Sequence, residues 1–277
     1  MLEEPVRRGG RQGGWRSVLV DLARCLRFFS RLPVPALRFE GDPHGPPDLG
    51  GMIRALPVAG PIIAVPSALV LAAALALGLG PWLSATLSVA VLTVSTGALH
   101  EDGLADLADG LGGATRERRL AIMRDSRLGS YGASALILAF ALRIGALATL
   151  AERLEPWGAG LAILAAASLS RVAGVAPLAY LPPARTDGLS QAVGQPSRDS
   201  FWIAAILALC VTIALGVLAA WPRGGIGLML AAAALSGLVV TRLSARLLGG
   251  QTGDVAGAAQ QLAEAAVLTG LLITLPP

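Results

Sequence analysis

The sequence predicts an all-α, polytopic integral membrane protein: a helical bundle of about seven transmembrane helices, with an N-terminal amphipathic helix at the membrane interface. Of the 277 residues, 54% are hydrophobic and only 14% are charged, whereas soluble domains carry about 25% charged residues. The mean hydropathy is +0.66. The apolar residues gather in runs that approach the roughly 20 residues needed to cross a bilayer core, which excludes an ordinary soluble domain.

The part of the chain before the first apolar run divides into three segments. Residues 1–14 are polar and rich in glycine and arginine, which predicts disorder. Between residues 15 and 29 apolar side chains recur at helical spacing with arginines between them, which is typical of a helix lying in the interface. A loop rich in proline and glycine continues to about residue 50.

Seven apolar runs follow this loop. The predicted spans are residues 56–79, 81–99, 132–150, 157–179, 201–220, 226 to about 240, and 256–275. Only a residue or two separates the first two runs, so they are predicted to form a tight helical hairpin.

The arginines predict how these spans are oriented. With the N-terminus inside, the cytoplasmic segments are residues 1–55, 101–131, 180–200 and 241–255. The turns on the other side contain only Arg153 and Arg223, as the positive-inside rule requires, and an odd number of spans leaves the C-terminus outside. The net charge of +4 is not accompanied by a basic stripe interleaved with aromatic residues. We therefore expect the arginines to face anionic lipid and not nucleic acid.

The strongest chemical signal is the acidic segment at residues 100–110, directly after the second run. On a helix that advances about 100° per residue, Asp102, Asp106 and Asp109 share a narrow arc, whereas Glu101 points away from it. Carboxylates crowded in this way destabilise a helix, and Mg²⁺, which takes hard oxygen ligands, would compensate them. The segment predicts a metal–diphosphate site at the membrane surface. A solvated helix end is the alternative.

A second segment places an acid between two arginines. Arg124 and Arg127 flank Asp125 and Ser126, just before a turn bounded by glycine. The planar fork of arginine suits phosphate, so Arg124, Ser126 and Arg127 are candidate phosphate-binding residues and Asp125 is a candidate metal ligand. For the preceding arginines 116, 118 and 119, contact with lipid headgroups is an equal alternative.

A third segment, residues 249–254, lies immediately before the last span. Its glycines allow a tight turn around a phosphate, which makes Gly250 and Thr252 candidate binding residues and Asp254 a candidate metal ligand. N-capping of the next helix is an equal alternative for Asp254. Glu264 lies inside the last span, where an unpaired charge is costly, and it is expected to pair with Arg143, Arg171 or the metal site.

These three segments, taken in order, resemble the cobalamin synthase family, the adenosylcobinamide-GDP ribazoletransferases of bacterial corrinoid biosynthesis. The matching blocks are residues 97–106 with 109–110, residues 122–129, and residues 249–254 with 257–258. The resemblance extends from Phe28 to the region of Glu264. Two departures are visible: Glu101 stands where the family commonly has leucine, and Gln261 stands where an acid is frequent.

The resemblance implies a magnesium-dependent reaction in which adenosylcobinamide-GDP and α-ribazole, or its 5′-phosphate, give adenosylcobalamin, or its 5′-phosphate, and GMP. Residues 15–277 would form a single membrane-embedded catalytic domain in the bacterial inner membrane, with the active site facing the cytoplasm. The partners would be these two substrates and the bilayer, and a homo-oligomer is compatible with the sequence.

The resemblance also implies roles for the candidate residues. Asp102, Asp106 and Asp109 would be the catalytic, metal-binding aspartates. Arg124 and Arg127 would neutralise developing charge, and Asp125 or Asp254 would complete the metal shell. Which carboxylate accepts the proton of the attacking hydroxyl is left open.

Two other functions compete with this one. The CDP-alcohol phosphotransferases also use membrane-embedded aspartates and magnesium, but their motif places Ala-Arg after Asp-Gly, and here Ala105 is followed by Asp106. An ion-coupled transporter is expected to show inverted repeats with acids near the bilayer midplane. No convincing repeat is found in this sequence, and the acids gather at the cytoplasmic boundary.

Overall fold

The computed structural model describes residues 14–43, 49–185 and 194–277, in which the regular structure is helical. The disorder predicted for residues 1–14 concerns a segment that, apart from Gly14, lies outside these ranges. The helices are α1 (Trp15–Phe29), α2 (Leu49–Met52), α3 (Leu56–Ala76), α4 (Gly80–Thr96), α5 (Leu99–Gly110), α6 (Arg116–Ile122), α7 (Ser130–Arg153), α8 (Pro156–Tyr180), α9 (Arg198–Leu218), α10 (Arg223–Leu248) and α11 (Gly253–Leu272).

The prediction of an all-α bundle with about seven spans is confirmed. Six helices of the described chain are long and apolar enough to cross a membrane, namely α3 with its preceding turns, α7, α8, α9, α10 and α11. Helix α4 has 17 residues, and the count rises to seven when α4 and α5 are taken together as one bent span. The largest difference from the predicted spans is at α10, which continues to Leu248, whereas the other helix ends lie within about three residues of the predicted ones.

A sharp bend separates α4 from α5. Gly97 and Ala98 both adopt the left-handed conformation, with φ of 64° and 57°, and the two helix axes differ by 89°. Glycine adopts this conformation freely, whereas an alanine pays about 1–2 kcal/mol for it. The bend turns α5 away from the axis of α4, so that α5 packs against α7 and α11 instead of continuing α4.

Helix α1 has the two faces that the sequence predicts. Trp15 and Val18 are 65% and 61% exposed, whereas Ala23 and Cys25 are buried. The thiol of Cys25 lies 3.1 Å from the carbonyl oxygen of Met52, and α1 packs against the start of α3. One face of α1 therefore belongs to the core, and the other is free to contact lipid.

The segments predicted to be cytoplasmic meet at one end of the bundle. Arg54 donates to the hydroxyl of Ser200 at 3.0 Å, and Arg116 donates to the carbonyl of Leu248 at 2.6 Å. At the opposite end, Arg153 donates to the carbonyl of Leu275. The chain thus crosses the bundle as the predicted topology requires.

Helices α8 and α11 form the centre of the bundle. In their most apolar windows 83% and 72% of the residues are buried, against 22% in both α9 and α10. Helix α8 is rich in alanine and glycine, and small residues let helix backbones approach closely in membranes. The outer helices therefore present their large apolar side chains to lipid.

Two glycines bring α5 against α11. A Cβ atom added at Gly103 would lie 2.8 Å from the backbone oxygen of Asp254, and one at Gly257 would lie 3.2 Å from the backbone oxygen of His100. Contacts this short require a shift of backbone atoms. The pairing of Gly103 with Gly257 therefore sets the distance between the two helices.

A buried ion network also holds α5. Arg143 is 1% exposed; its Nη2 lies 2.8 Å from Glu264 and its Nη1 lies 3.0 Å from Glu101. Glu264 thus pairs with one of the partners expected from the sequence. Gln260 donates to Glu264 at 2.7 Å, so the network connects helices α5, α7 and α11.

Glu101 and Gln261, the two residues that depart from the family pattern, both accept a hydrogen bond from Nη1 of Arg143. Nη1 of Arg143 donates to Glu101 and, at 2.8 Å, to the side-chain oxygen of Gln261. Arg171, also buried, interacts electrostatically with Glu264 and Glu101. Two buried cations are therefore balanced by two buried acids. The acid at position 101 supplies the charge that the resemblance places at position 261.

This charge balance predicts compensation between positions 101 and 261. Glu101→Leu leaves one acid for two cations and should lower the free energy of unfolding by about 3 kcal/mol, the lower end for a broken buried pair. Gln261→Glu alone adds an uncompensated acid and should also destabilise. The double variant restores the balance, so its midpoint of thermal unfolding in detergent should return close to that of the unaltered protein. If the unfolding midpoint of the double variant fell by the sum of the two single decreases, an acid at position 261 would not replace the acid at position 101.

The contact of α5 with α11 predicts a strong effect of one methyl group. Gly103→Ala should lower the free energy of unfolding by about 1–3 kcal/mol, as is usual for overpacking. Gly227→Ala is the matched control, because a Cβ atom at that helical position meets nothing within 4 Å. Thermal unfolding in detergent measures both. Equal stability of the two variants would show that α5 can move away from α11 freely.

Candidate active site

A cavity of about 260 Å³ lies where α5, α8 and α11 meet the end of α1. Its outer part, which we call the polar mouth, is formed by Asp102, Arg185, Thr252 and Asp254. A second set of lining residues, which we call the inner chamber, consists of Phe28, Phe29, Leu56, Arg171, Val175 and Leu178, and His100 and Gln260 also line the cavity. The lining of the cavity therefore combines charged side chains with apolar ones.

The aspartates of α5 lie on one helical face, as their spacing predicts. Asp102 is exposed at the polar mouth, and Asp106, one turn further on, is partly buried. Burial raises the pKa of Asp106 to about 7, and the carboxylates of Asp102 and Asp254 add to this effect. Asp109 acts in the same direction, and Arg185 opposes it. Negative charge at this site thus exceeds the local positive charge.

Asp109 has a structural partner that the sequence did not reveal. Its two carboxylate oxygens accept hydrogen bonds from the backbone amides of Gly129 and Gly132, at 2.7 and 2.8 Å. Gly129 is the N-cap residue of α7, whose first amides lack partners within the helix. Asp109 therefore caps α7 and ties it to α5. Each carboxylate oxygen still has a free lone pair, and the role of Asp109 as a metal ligand stays a prediction.

The second predicted segment lies apart from the cavity. Asp125 and Arg127 form an ion pair at 2.5 Å, and hydrogen bonds from Arg127 lower the pKa of Asp125 to about 2. Neither residue lines the cavity, nor do Arg124 and Ser126. The phosphate-binding and metal-binding roles expected for this segment remain predictions.

The third predicted segment brings Thr252 and Asp254 to the polar mouth. The Thr252 hydroxyl accepts the amide of Val255 and is the N-cap of α11, so the alternative that Asp254 caps this helix is wrong. Asp254 lies in the first turn, where Thr252 donates to its carboxylate at 3.2 Å. The N-cap residue Thr252 therefore helps to orient the side chain of Asp254.

Gly250 allows two loops to touch. A Cβ atom at Gly250 would lie 2.5 Å from the backbone oxygen of Pro182. The next residue, Gln251, donates from its amide to Pro182 and accepts from the amide of Ala184, both at 2.8 Å. Gly250 does not line the cavity, but its lack of a side chain lets these two backbone hydrogen bonds form. They hold Ala184, and thereby position Arg185, the residue that follows Ala184.

Arg185 is a candidate binding residue that the sequence analysis missed. It lines the polar mouth, its Nη2 lies 3.9 Å from Asp254, and it donates to the backbone oxygen of Leu120 at 3.0 Å. Its Nε has no hydrogen-bond partner within the described ranges. The available signal was an arginine after Pro182-Pro183-Ala184 in a predicted cytoplasmic loop, which resembles no phosphate motif.

The basic helix α6 also has a role that was not anticipated. Arg116 donates to the carbonyls of Leu248 and Ala184, and Arg119 donates to that of Leu247 at 3.2 Å. These bonds satisfy carbonyls at the C-terminus of α10, where intrahelical partners are lacking. Arg116 and Arg119 therefore stabilise the loop around the polar mouth.

Comparison with known proteins places this site in a family. Residues 21–272 match the family described as cobalamin-5-phosphate synthase. A protein of Azorhizobium caulinodans named adenosylcobinamide-GDP ribazoletransferase is 52% identical over 264 residues, which cover 94% of this chain and 98% of the relative. Relatives of the same name from Sinorhizobium medicae and Bradyrhizobium diazoefficiens are 45% and 46% identical, over 92% and 91% of this chain and 97% and 93% of theirs.

No solved structure matches the chain significantly. The family match nevertheless covers α5, the loop before α7 and the start of α11, which carry the three sequence blocks. Because the alignment extends over nearly the whole chain and nearly the whole of each relative, this chain belongs to the cobalamin-5-phosphate synthase family.

Proposed function

We propose that this chain transfers the adenosylcobinamide-phosphate group from adenosylcobinamide-GDP to α-ribazole or its 5′-phosphate and releases GMP. The names of its relatives support this activity. The observation that carries the proposal is the polar mouth, where Asp102 and Asp254 face Arg185 at one end of a membrane bundle. The clustering of arginines at this end supports placing the site at the cytoplasmic face of the bacterial inner membrane.

The proposed reaction is a single displacement at phosphorus. A ribose hydroxyl oxygen of α-ribazole forms a bond to the phosphorus that carries cobinamide. The bond from that phosphorus to the bridging oxygen of the diphosphate breaks, and GMP leaves with the electron pair. The hydroxyl proton passes to a carboxylate. Such transfers depend mainly on positioning and charge neutralisation.

The polar mouth offers groups for each of these tasks. Asp102 and Asp254 both line the cavity, and one of them would accept the hydroxyl proton. Arg185 would bind diphosphate oxygens through its guanidinium, whose Nε has no partner among the described side chains. Arg124 and Arg127 could add to this neutralisation only if the loop before α7 moves toward the mouth.

Magnesium is the proposed cofactor, and the residues fit it. Asp102, Asp106 and Asp254 offer hard oxygen ligands, and the pKa of Asp106 is raised first by burial and then by the neighbouring carboxylates. The described ranges contain no preformed group of three or more His, Cys, Asp or Glu side chains positioned to hold a metal. Magnesium is usually bound by one or two carboxylates together with substrate phosphates, and we expect the diphosphate substrate to complete the site. When bound, the ion would neutralise charge on the diphosphate.

The central aspartate provides the first test of this proposal. Asp106→Asn should lower the rate of GMP release by about a hundredfold or more, the usual effect of removing one key electrostatic group. Asp199→Asn is the matched control, because Asp199 is exposed at the start of α9 and away from the cavity. The assay uses purified protein in liposomes with both substrates, with and without Mg²⁺. Full activity of Asp106→Asn, or activity that is independent of Mg²⁺, would remove the proposed mechanism.

A second test separates two sources of positive charge. Arg185→Gln should lower GMP release at least about tenfold, as expected when a charged hydrogen bond is lost. Arg127→Gln should change the rate by less than about threefold, since Arg127 is exposed and an exposed ion pair contributes little. The reverse ranking would show that the loop before α7 closes over the substrate.

A further inference from the structure

The inner chamber has the properties of a binding site for a flat, apolar ring. Leu56, Val175 and Leu178 form its apolar wall. The ring of Phe29 is stacked on the imidazole of His100, with ring centres 6.1 Å apart and planes inclined by 11°. Aromatic side chains can contact a further planar ring in offset-stacked or edge-to-face geometry.

The size of the cavity limits what can enter it. Its volume of about 260 Å³ lies just below the roughly 300 Å³ at which small-ligand sites begin. A corrin ring, with its many side chains, does not fit. Of the groups that the proposed reaction brings together, only the guanine of the diphosphate substrate and the base of α-ribazole are small and flat enough.

Arg171 gives the chamber a buried hydrogen-bond donor. It is 3% exposed, lines the inner chamber, and donates from Nη1 to the carbonyl of Ala167 at 3.0 Å. Its Nε is buried without a hydrogen-bond partner in the described part of the protein, which is a costly arrangement. A guanidinium has donors only, so the missing partner is an acceptor.

The hydrogen-bonding capacity of the chamber disfavours guanine. Guanine carries three N–H donors on N1 and its exocyclic amino group, and each needs an acceptor when it is buried. The side-chain oxygen of Gln260 already accepts from Gln261, and a neutral His100 offers at most one acceptor nitrogen. Dimethylbenzimidazole, the base of α-ribazole, has methyl groups, no N–H donor once it is joined to ribose, and one free ring nitrogen that accepts.

We propose that the inner chamber binds the dimethylbenzimidazole ring of α-ribazole, with Arg171 donating to the free ring nitrogen and Phe29 and His100 contacting the ring. This inference rests on the proposed function and assigns the acceptor substrate to a defined part of the site. With the base in the chamber, the ribose lies in the polar mouth. Its hydroxyl groups then meet Asp102 and Asp254, where the displacement requires the nucleophile.

The first experiment blocks the chamber. Val175→Phe, with Leu178→Phe as a second blocking variant, should raise the KM for α-ribazole at least tenfold and leave the KM for adenosylcobinamide-GDP within about twofold. Val217→Phe, at a side chain that is 73% exposed on α9, is the matched control and should change neither constant. Equilibrium dialysis of α-ribazole against each protein in nanodiscs, without the second substrate, should show the same ranking of affinities.

The second experiment tests the hydrogen bond from Arg171. An analogue of α-ribazole in which the free ring nitrogen is replaced by CH cannot accept this bond. The unaltered protein should bind it about tenfold to a hundredfold more weakly than α-ribazole, the usual range for a bond from a charged donor. Arg171→Met should bind the two compounds equally, a loss of discrimination that a merely structural role of Arg171 would not produce.

The outcomes separate this inference from the proposed function. A rise in the KM for adenosylcobinamide-GDP alone would assign the chamber to guanine and overturn the inference while the reaction stands. Unchanged constants in both blocking variants would also overturn it, and would indicate that lipid or water fills the chamber. Failure of the unaltered protein to release GMP would instead refute the proposed function, while binding of α-ribazole in the dialysis experiment would still decide the occupant of the chamber.

Discussion

The structure depends on the buried guanidinium of Arg143, which joins α5 to the centre of a membrane bundle. It pairs with Glu101 at 3.0 Å and with Glu264 at 2.8 Å. Charges at this depth are stable only when they are paired and hydrogen-bonded, so the positions of three helices are constrained together. The short contact between Gly103 and Asp254 then fixes how close α5 lies to α11. Asp102 and Asp254 face one cavity because both constraints are met.

The balance of charge differs between the two faces of α5. Toward the bundle, Glu101 is neutralised by Arg143, and the acids and cations are equal in number. On the other face, Asp102, Asp106 and Asp254 are opposed by Arg185, and burial together with the neighbouring carboxylates raises the pKa of Asp106 to about 7. A side with balanced charge stabilises the fold, whereas a side with excess negative charge has capacity for a cation and a diphosphate. The single residue step from Glu101 to Asp102 separates the two environments.

Sequence reasoning succeeded where the signal was local and failed where it depended on distant contacts. Apolar runs predicted the spans, and spacing of 3.6 residues per turn placed Asp102 and Asp106 on one face. The charge of Glu264 required a partner, and Arg143 was among those expected. The role of Arg185 depends on a bridge between Pro182 and Gln251, and the capping role of Asp109 depends on amides 20 and 23 residues away. No periodicity in the sequence encodes such pairings.

The interfacial helix extends this argument to the substrates. Phe28 and Phe29, at the end of α1, contribute to the wall of the inner chamber, while Trp15 and Val18 on the same helix remain exposed. A helix that contacts lipid on one face and the cavity on the other couples the position of the membrane surface to the shape of the site. The amphipathic segment therefore contributes to the wall of the candidate site as well as to the membrane-facing surface.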